Sequence, residues 1–198
     1  GQIPYFAKKY QVIAVDSRAH GRSVDKGDSL SYEMMAEDFS ELLDELHIKA
    51  CNVIGWSDGG NNGLLLAIHH PDKVKKLVFP PDLLEVPDTL LDSLSKLPQT
   101  KKIKNAAKVW KLVYQEPNIS LTQLNSIKSQ TLVIGGDHDI ILPTHTMLIA
   151  DNIPKSNLWI LPNSGHSTLI NYKNQFNNTV ESFLKTPYRI IKGMNRIN

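Results

Sequence analysis

The sequence predicts an α/β domain: a mainly parallel sheet with helices on both faces. Two observations lead there. Short apolar runs alternate along the chain with segments whose apolar residues recur every three or four positions, the βαβα order of a parallel sheet covered by helices. The runs themselves are nearly continuous, as strands buried on both faces require. With 198 residues, 41% of them hydrophobic and 21% charged, the chain has room for one core and at most a small appendage.

The elements follow in order. Gln11-Val12-Ile13-Ala14-Val15 reads as a buried parallel strand ending at Asp16-Ser17-Arg18. After a loop rich in Gly and Asp, Tyr32, Met35, Phe39, Leu42, Leu43 and Leu46 trace one face of a helix, with Ser31 placed as its N-cap. A strand is expected at 51–56, a helix at 59–70 halted by Pro71, and a strand at 75–79. Strands at 131–135 and 157–161 and helices at 144–152 and 168–184 complete the alternation. Between Pro80 and Gln130 the alternation stops, and proline turns (Pro80-Pro81, Pro87, Pro98, Pro117) separate leucine-rich helical pieces. This predicts a core of 1–79 and 131–198 carrying a short helical cap at 80–130.

Composition narrows the function. A net charge of +2 implies neither a nucleic-acid nor a membrane partner. The basic run Lys101, Lys102, Lys104, Lys108 and Lys111 interleaves with Ile103, Ala106, Ala107, Trp110, Val113 and Tyr114, as in a helix that buries one stripe and solvates its lysines. Cys51 is the sole cysteine and lies in an apolar strand, so an intrachain disulfide is excluded and a reducing compartment is compatible. No run reaches membrane-spanning length and no signal peptide is evident, which makes a cytoplasmic protein the expectation. No spacing resembles HExxH or a Cys/His zinc site, so neither metal nor cofactor is expected.

The chemistry centres on Gly55-Trp56-Ser57-Asp58-Gly59, a G-x-S-x-G string between a strand and a helix. A strand that reverses directly into a helix brings its own backbone close. Flanking side chains must therefore be absent, and the central residue is held in strained geometry with its side chain projecting. A serine so presented needs a base and a group to orient that base. Downstream, Leu132-Val133-Ile134 leads into Gly135-Gly136-Asp137-His138-Asp139, and Leu158-Trp159-Ile160-Leu161 leads into Pro162-Asn163-Ser164-Gly165-His166. Both follow the carboxyl ends of expected parallel strands, the rim where open α/β sheets build their sites.

In this order the chain resembles the α/β-hydrolase family, over nearly its whole length. Asp16-Ser17-Arg18-Ala19-His20-Gly21-Arg22-Ser23 is also similar to the family's D-x-R-G-H-G-x-S loop, with Ala19 where the pattern has glycine, a departure that bears on the local turn. The resemblance implies Ser57 as nucleophile, His166 as general base and then acid, and Asp139 as the carboxylate that orients the imidazole. Asp137 is the rival acid, disfavoured as too close to the strand end. His138, His20 and His145 are read as loop or surface histidines, and His69-His70 as a helix end.

The string Gly-Trp-Ser-Asp-Gly-Gly is similar to that of biphenyl-hydrolase-like proteins, in which the acidic residue beside the nucleophile is associated with a substrate ammonium. Asp58 is therefore a candidate both for binding an amine and for complementing the helix dipole, and Trp56 for walling the pocket or packing beneath the elbow. The family's oxyanion hole takes one N–H from the residue after the nucleophile, here Asp58, and a second from the loop after the third strand. Against that pattern the first three strands are expected to be missing, an N-terminally truncated version of the fold that lacks the second donor; one lost donor costs about 100- to 1,000-fold in turnover. The strands at 11–15 and 51–55 would then lose a shared neighbour, leaving them to pair directly, to recruit another chain as in a homo-oligomer, or to stay exposed.

The expected function is a serine hydrolase that cleaves small carboxylic esters through an acyl-enzyme, with α-amino esters a preferred class and activity impaired. Its substrate would be a small-molecule ester or amide. A proline-releasing aminopeptidase and an acyltransferase use the same elbow. A noncatalytic interaction module on this scaffold is the alternative from a different class.

Overall fold

The computed structural model describes residues 1–25, 27, 29–80, 96–97 and 100–190. Four strands, β1 (Cys51–Ile54), β2 (Val74–Phe79), β3 (Gln130–Gly136) and β4 (Ser156–Leu161), form one sheet in the order β1-β2-β3-β4. Every pairing is parallel. Helices α1 (Gln2–Phe6) and α2 (Tyr32–Glu45) precede the sheet, α3 (Asp58–His69), α4 (Lys101–Gln115), α5 (Leu121–Asn125) and α6 (Pro143–Asp151) lie in its crossovers, and α7 (Thr168–Asn171) and α8 (Lys173–Lys185) follow it.

Strand pleating divides the core between the two faces. Leu77 and Phe79 of β2 and Val133 of β3 pack with Tyr32, Met35 and Leu43 of α2, Leu64, Leu65 and Leu66 of α3, and Ile149 of α6. Their neighbours in sequence, Val78, Leu132 and Ile134, turn to the other face and pack with Phe6 of α1 and Phe176, Val180 and Phe183 of α8. Helices thus cover both faces, as an α/β-hydrolase sheet requires. Ser31 caps α2 as expected, its side chain accepting from the Met34 N–H at 3.1 Å. In the segment outside the sheet, α4 is capped by Thr100 and α5 by a Ser120–Gln123 capping box. The expected turns at Pro81, Pro87 and Pro98 lie outside the described residues.

Two expectations change, and one helix is added. Gln11–Val15 is not a strand: it joins no ladder, and no backbone hydrogen bond links it to another described residue. Cavities of about 290 and 400 Å³ lie between this segment and β1, lined on both sides by Gln11, Ile13, Val15, Cys51, Asn52 and Ile54. An apolar run has the composition of a strand, but only a paired neighbour satisfies its backbone and makes it one. The expected helix at 168–184 is two helices, broken at Tyr172 (φ −114°, ψ 36°). The break hides in the periodicity because Leu169, Tyr172 and Phe176 all face the same apolar cluster. Helix α1, too short to show a period, is fastened to α8 through Glu181, which accepts from the Tyr5 hydroxyl at 2.6 Å and pairs with Lys9 and Lys185.

Candidate active site

Because the sheet is parallel, the segments that follow β1, β3 and β4 all leave at the same rim. Ser57 sits between β1 and α3 with φ 54° and ψ −122°, a conformation that a non-glycine residue holds only under constraint. Its side chain does not cap α3. The constraint comes from packing at two glycines. A Cβ on Gly55 would lie 2.1 Å from the Gly59 carbonyl oxygen, and one on Gly60 would lie 2.8 Å from the Pro80 carbonyl oxygen. The sequence motif puts the second requirement on Gly59, yet a Cβ there would meet nothing within 4 Å. The turn needs Gly55 and Gly60.

The loops after β3 and β4 are locked to each other. A Cβ on Gly136 would fall 2.0 Å from the Ser164 carbonyl oxygen, so these backbones touch only because Gly136 has no side chain. The His138 N–H donates to the Ser164 carbonyl at 3.0 Å, and the Asp137 carboxylate accepts from the Ser164 N–H at 3.0 Å. Backbone N–H groups of Asn163 and Ser164, together with the His138 ring, hold the Asp137 carboxyl well below the usual carboxylate range. Asp137 is the clasp between the loops.

That clasp sets Asp139 against His166. The ring Nδ1 lies 2.9 Å from Asp139 Oδ1, with the two side chains 17% and 3% exposed. Asp139 also accepts from the Ile141 N–H at 3.2 Å. A carboxylate accepts only, so in the neutral ring Nδ1 carries the hydrogen and Nε2 presents a lone pair. Nε2 is buried and makes no hydrogen bond to a described residue. Trp56, next to Ser57, ties the elbow to this pair: its indole N–H donates to the His166 carbonyl at 3.1 Å, and the two rings lie 5.6 Å apart. Its bond to the histidine loop spans 110 positions, and nothing local in the sequence signals it.

Asp58 opens α3, where its carboxylate complements the helix dipole and its N–H is one of the first-turn donors that no carbonyl of the helix takes up. The hydroxyl of fully buried Tyr32 donates to Asp58 Oδ1. Tyr32 is fixed in turn by Glu116 Oε2, which accepts its N–H at 3.0 Å; burial pushes the Glu116 carboxyl above its ordinary value. His20, expected to be a plain loop histidine, brings Nε2 to 4.0 Å from Asp58 Oδ2. His138 pairs with Asp137, and His70 with Glu37 at 2.8 Å near the end of α3. His145 lies in the first turn of α6, where burial lowers its pKa. Among the described residues no three His, Cys, Asp or Glu side chains converge on a metal site, and no helix is long and apolar enough to cross a membrane.

The model of the alpha/beta hydrolase fold family matches residues 1–80. The sn-1-specific diacylglycerol lipase ABHD11 of Mus musculus is 24% identical over 88% of this chain and 71% of its own length. Serine hydrolase BPHL of Mus musculus is 23% identical over 90% of this chain and 70% of its own. Among solved structures, a hydrolase from Pseudomonas aeruginosa PA01 superposes with a TM-score of 0.78 at 25% identity, covering 93% of this chain and 83% of that one. In fold and in sequence the chain is similar to the α/β hydrolases, BPHL among them.

Proposed function

We propose that the protein is a serine hydrolase that cleaves small carboxylic esters, α-amino esters among them, through an acyl-enzyme. The observation that carries this reading is the shielded His166–Asp139 pair, tied through Trp56 to the elbow that holds the strained Ser57. In the proposed cycle His166 Nε2 takes the Ser57 hydroxyl proton as Oγ attacks the ester carbonyl. Asp139 holds the tautomer and stabilises the imidazolium. The Asp58 N–H donates to the developing oxyanion. Collapse breaks the ester C–O bond, His166 returns the proton to the departing alcohol, and water repeats the sequence on the acyl-serine. The segment 80–130 acts as a cap over the core formed by 1–79 and 131–198.

Hydrolysis of 4-nitrophenyl acetate tests the reading. Ser57→Ala should abolish it, and His166→Ala should lower turnover by at least about 1,000-fold. Turnover that survives both substitutions contradicts the proposal and favours a noncatalytic module on a hydrolase scaffold.

A further inference from the structure

The candidate nucleophile and the candidate base are carried by different loops, and one side chain joins those loops. Trp56 belongs to the elbow, whose backbone is fixed by the close packing at Gly55 and Gly60. Its indole N–H donates to the backbone carbonyl of His166 at 3.1 Å, and its ring lies beside the His166 ring, centroids 5.6 Å apart and planes inclined by 37°. At the far end of the same residue, Asp139 holds Nδ1 at 2.9 Å. One hydrogen bond at Nδ1 leaves an imidazole free to swing about the axis of that bond. A hold on the carbonyl and a neighbour beside the ring remove that freedom, so Trp56 sets the direction of Nε2 together with Asp139.

We propose that Trp56 is a positioning residue, holding the His166 loop in register with the elbow and so fixing the direction from which Nε2 meets the Ser57 hydroxyl. The inference rests on the reading of Ser57 as nucleophile and His166 as base. A tryptophan that only walled a pocket would be free to turn its N–H to solvent, being 39% exposed; here the N–H is committed to the loop that carries the base. Trp56 is also the chain neighbour of Ser57, so the reach of one side chain sets the spacing of the two loops. A misplacement of about 1 Å at such a spacing costs about 100-fold in rate. The ring adds a second effect: when His166 takes the serine proton it becomes a cation, and an indole 5.6 Å away lies within the range at which an aromatic ring attracts one.

The test compares the whole chain with Trp56→Phe, which keeps a ring and removes the N–H, and Trp56→Leu, which removes both. With 4-nitrophenyl acetate, kcat should fall about tenfold in Trp56→Phe and about threefold further in Trp56→Leu, with KM changed by less than about twofold. A raised KM at constant kcat identifies a pocket wall and overturns the inference, as does a kcat in both variants within about twofold of the unsubstituted chain. A second readout needs no turnover. With 13C-labelled histidine, relaxation of the His166 ring Cε1–H should give an order parameter of about 0.85 in the unsubstituted chain and below about 0.6 in Trp56→Phe. A ring already mobile in the unsubstituted chain overturns the inference even if a variant fails to fold, and so does a ring equally rigid in Trp56→Phe. The two claims separate: an unsubstituted chain without turnover removes the hydrolase reading and leaves ring mobility to decide the role of Trp56. Turnover and ring rigidity that both ignore Trp56 remove this inference alone.

Discussion

Ser57 is held in place by what its neighbours lack. Gly55 and Gly60 pack where a Cβ would lie 2.1 Å and 2.8 Å from backbone oxygens, whereas the Gly59 position is open. Gly55→Ala should therefore cost about 2 kcal/mol or more, because backbone must move to admit it. Gly59→Ala sits in the first turn of α3 and should gain up to about 1 kcal/mol of helix propensity. Denaturant melts of the two variants check this, and equal losses would contradict it. A second residue-scale effect concerns Ala19, which takes φ 65° where the family pattern has glycine. The turn forms nonetheless and keeps its anchors to α2 and α4. Ala19→Gly should relieve the left-handed strain and raise stability by about 0.5–1 kcal/mol, read as an increase in Tm.

At the scale of elements, Glu181 joins α1 to α8. Hydrogen bonds from Lys185, Lys9 and Tyr5 lower its carboxyl from 4.5 to about 2. A carboxylate depressed in the folded state contributes its stabilisation fully above the unfolded value and loses it as pH falls through the folded one. The Glu181 contribution should thus be complete above pH about 4.5 and fade as pH falls toward 2. Glu181→Gln should lower Tm at pH 6, with the difference from the unsubstituted chain closing near the acid end of that window. A Tm difference that does not change with pH would contradict the assignment. Elements also show where sequence reading succeeds. Strands β2 and β3 and helices α2, α3 and α6 are legible because each buries an apolar run or stripe, and β1 and β4 because their runs are apolar although Ile54 and Leu158 stay exposed. Gln11–Val15 misleads because strand identity belongs to a pair of segments, and one run reports only half of it.

At the scale of the whole molecule, the parallel sheet converts sequence order into proximity. Three segments far apart in the chain leave β1, β3 and β4 at one rim, and the Gly136–Ser164 contact brings Asp139 and His166 to 2.9 Å. That much of the candidate site is legible in sequence, since each residue follows its own strand at a recognisable motif. The contacts that surround the candidate site are not legible. Trp56 to the His166 carbonyl, Tyr32 to Asp58 and His20 opposite Asp58 join elements whose spacing encodes nothing about their meeting. They emerge only from the packing of α2, the 16–23 loop and the loop after β4 against the elbow. The same packing sets Asp139 against His166 and Asp137 against the backbone of the neighbouring loop.

The central claim is that Ser57 is activated through His166 and Asp139. It is tested most directly by treating the folded chain with a fluorophosphonate and mapping the adduct by mass spectrometry. The account predicts one phosphonyl group, on Ser57, formed rapidly in the unsubstituted chain and slowed by at least about 1,000-fold in His166→Ala. Labelling of Ser57 at the same rate in both chains, or no labelling of Ser57 in either, would contradict it.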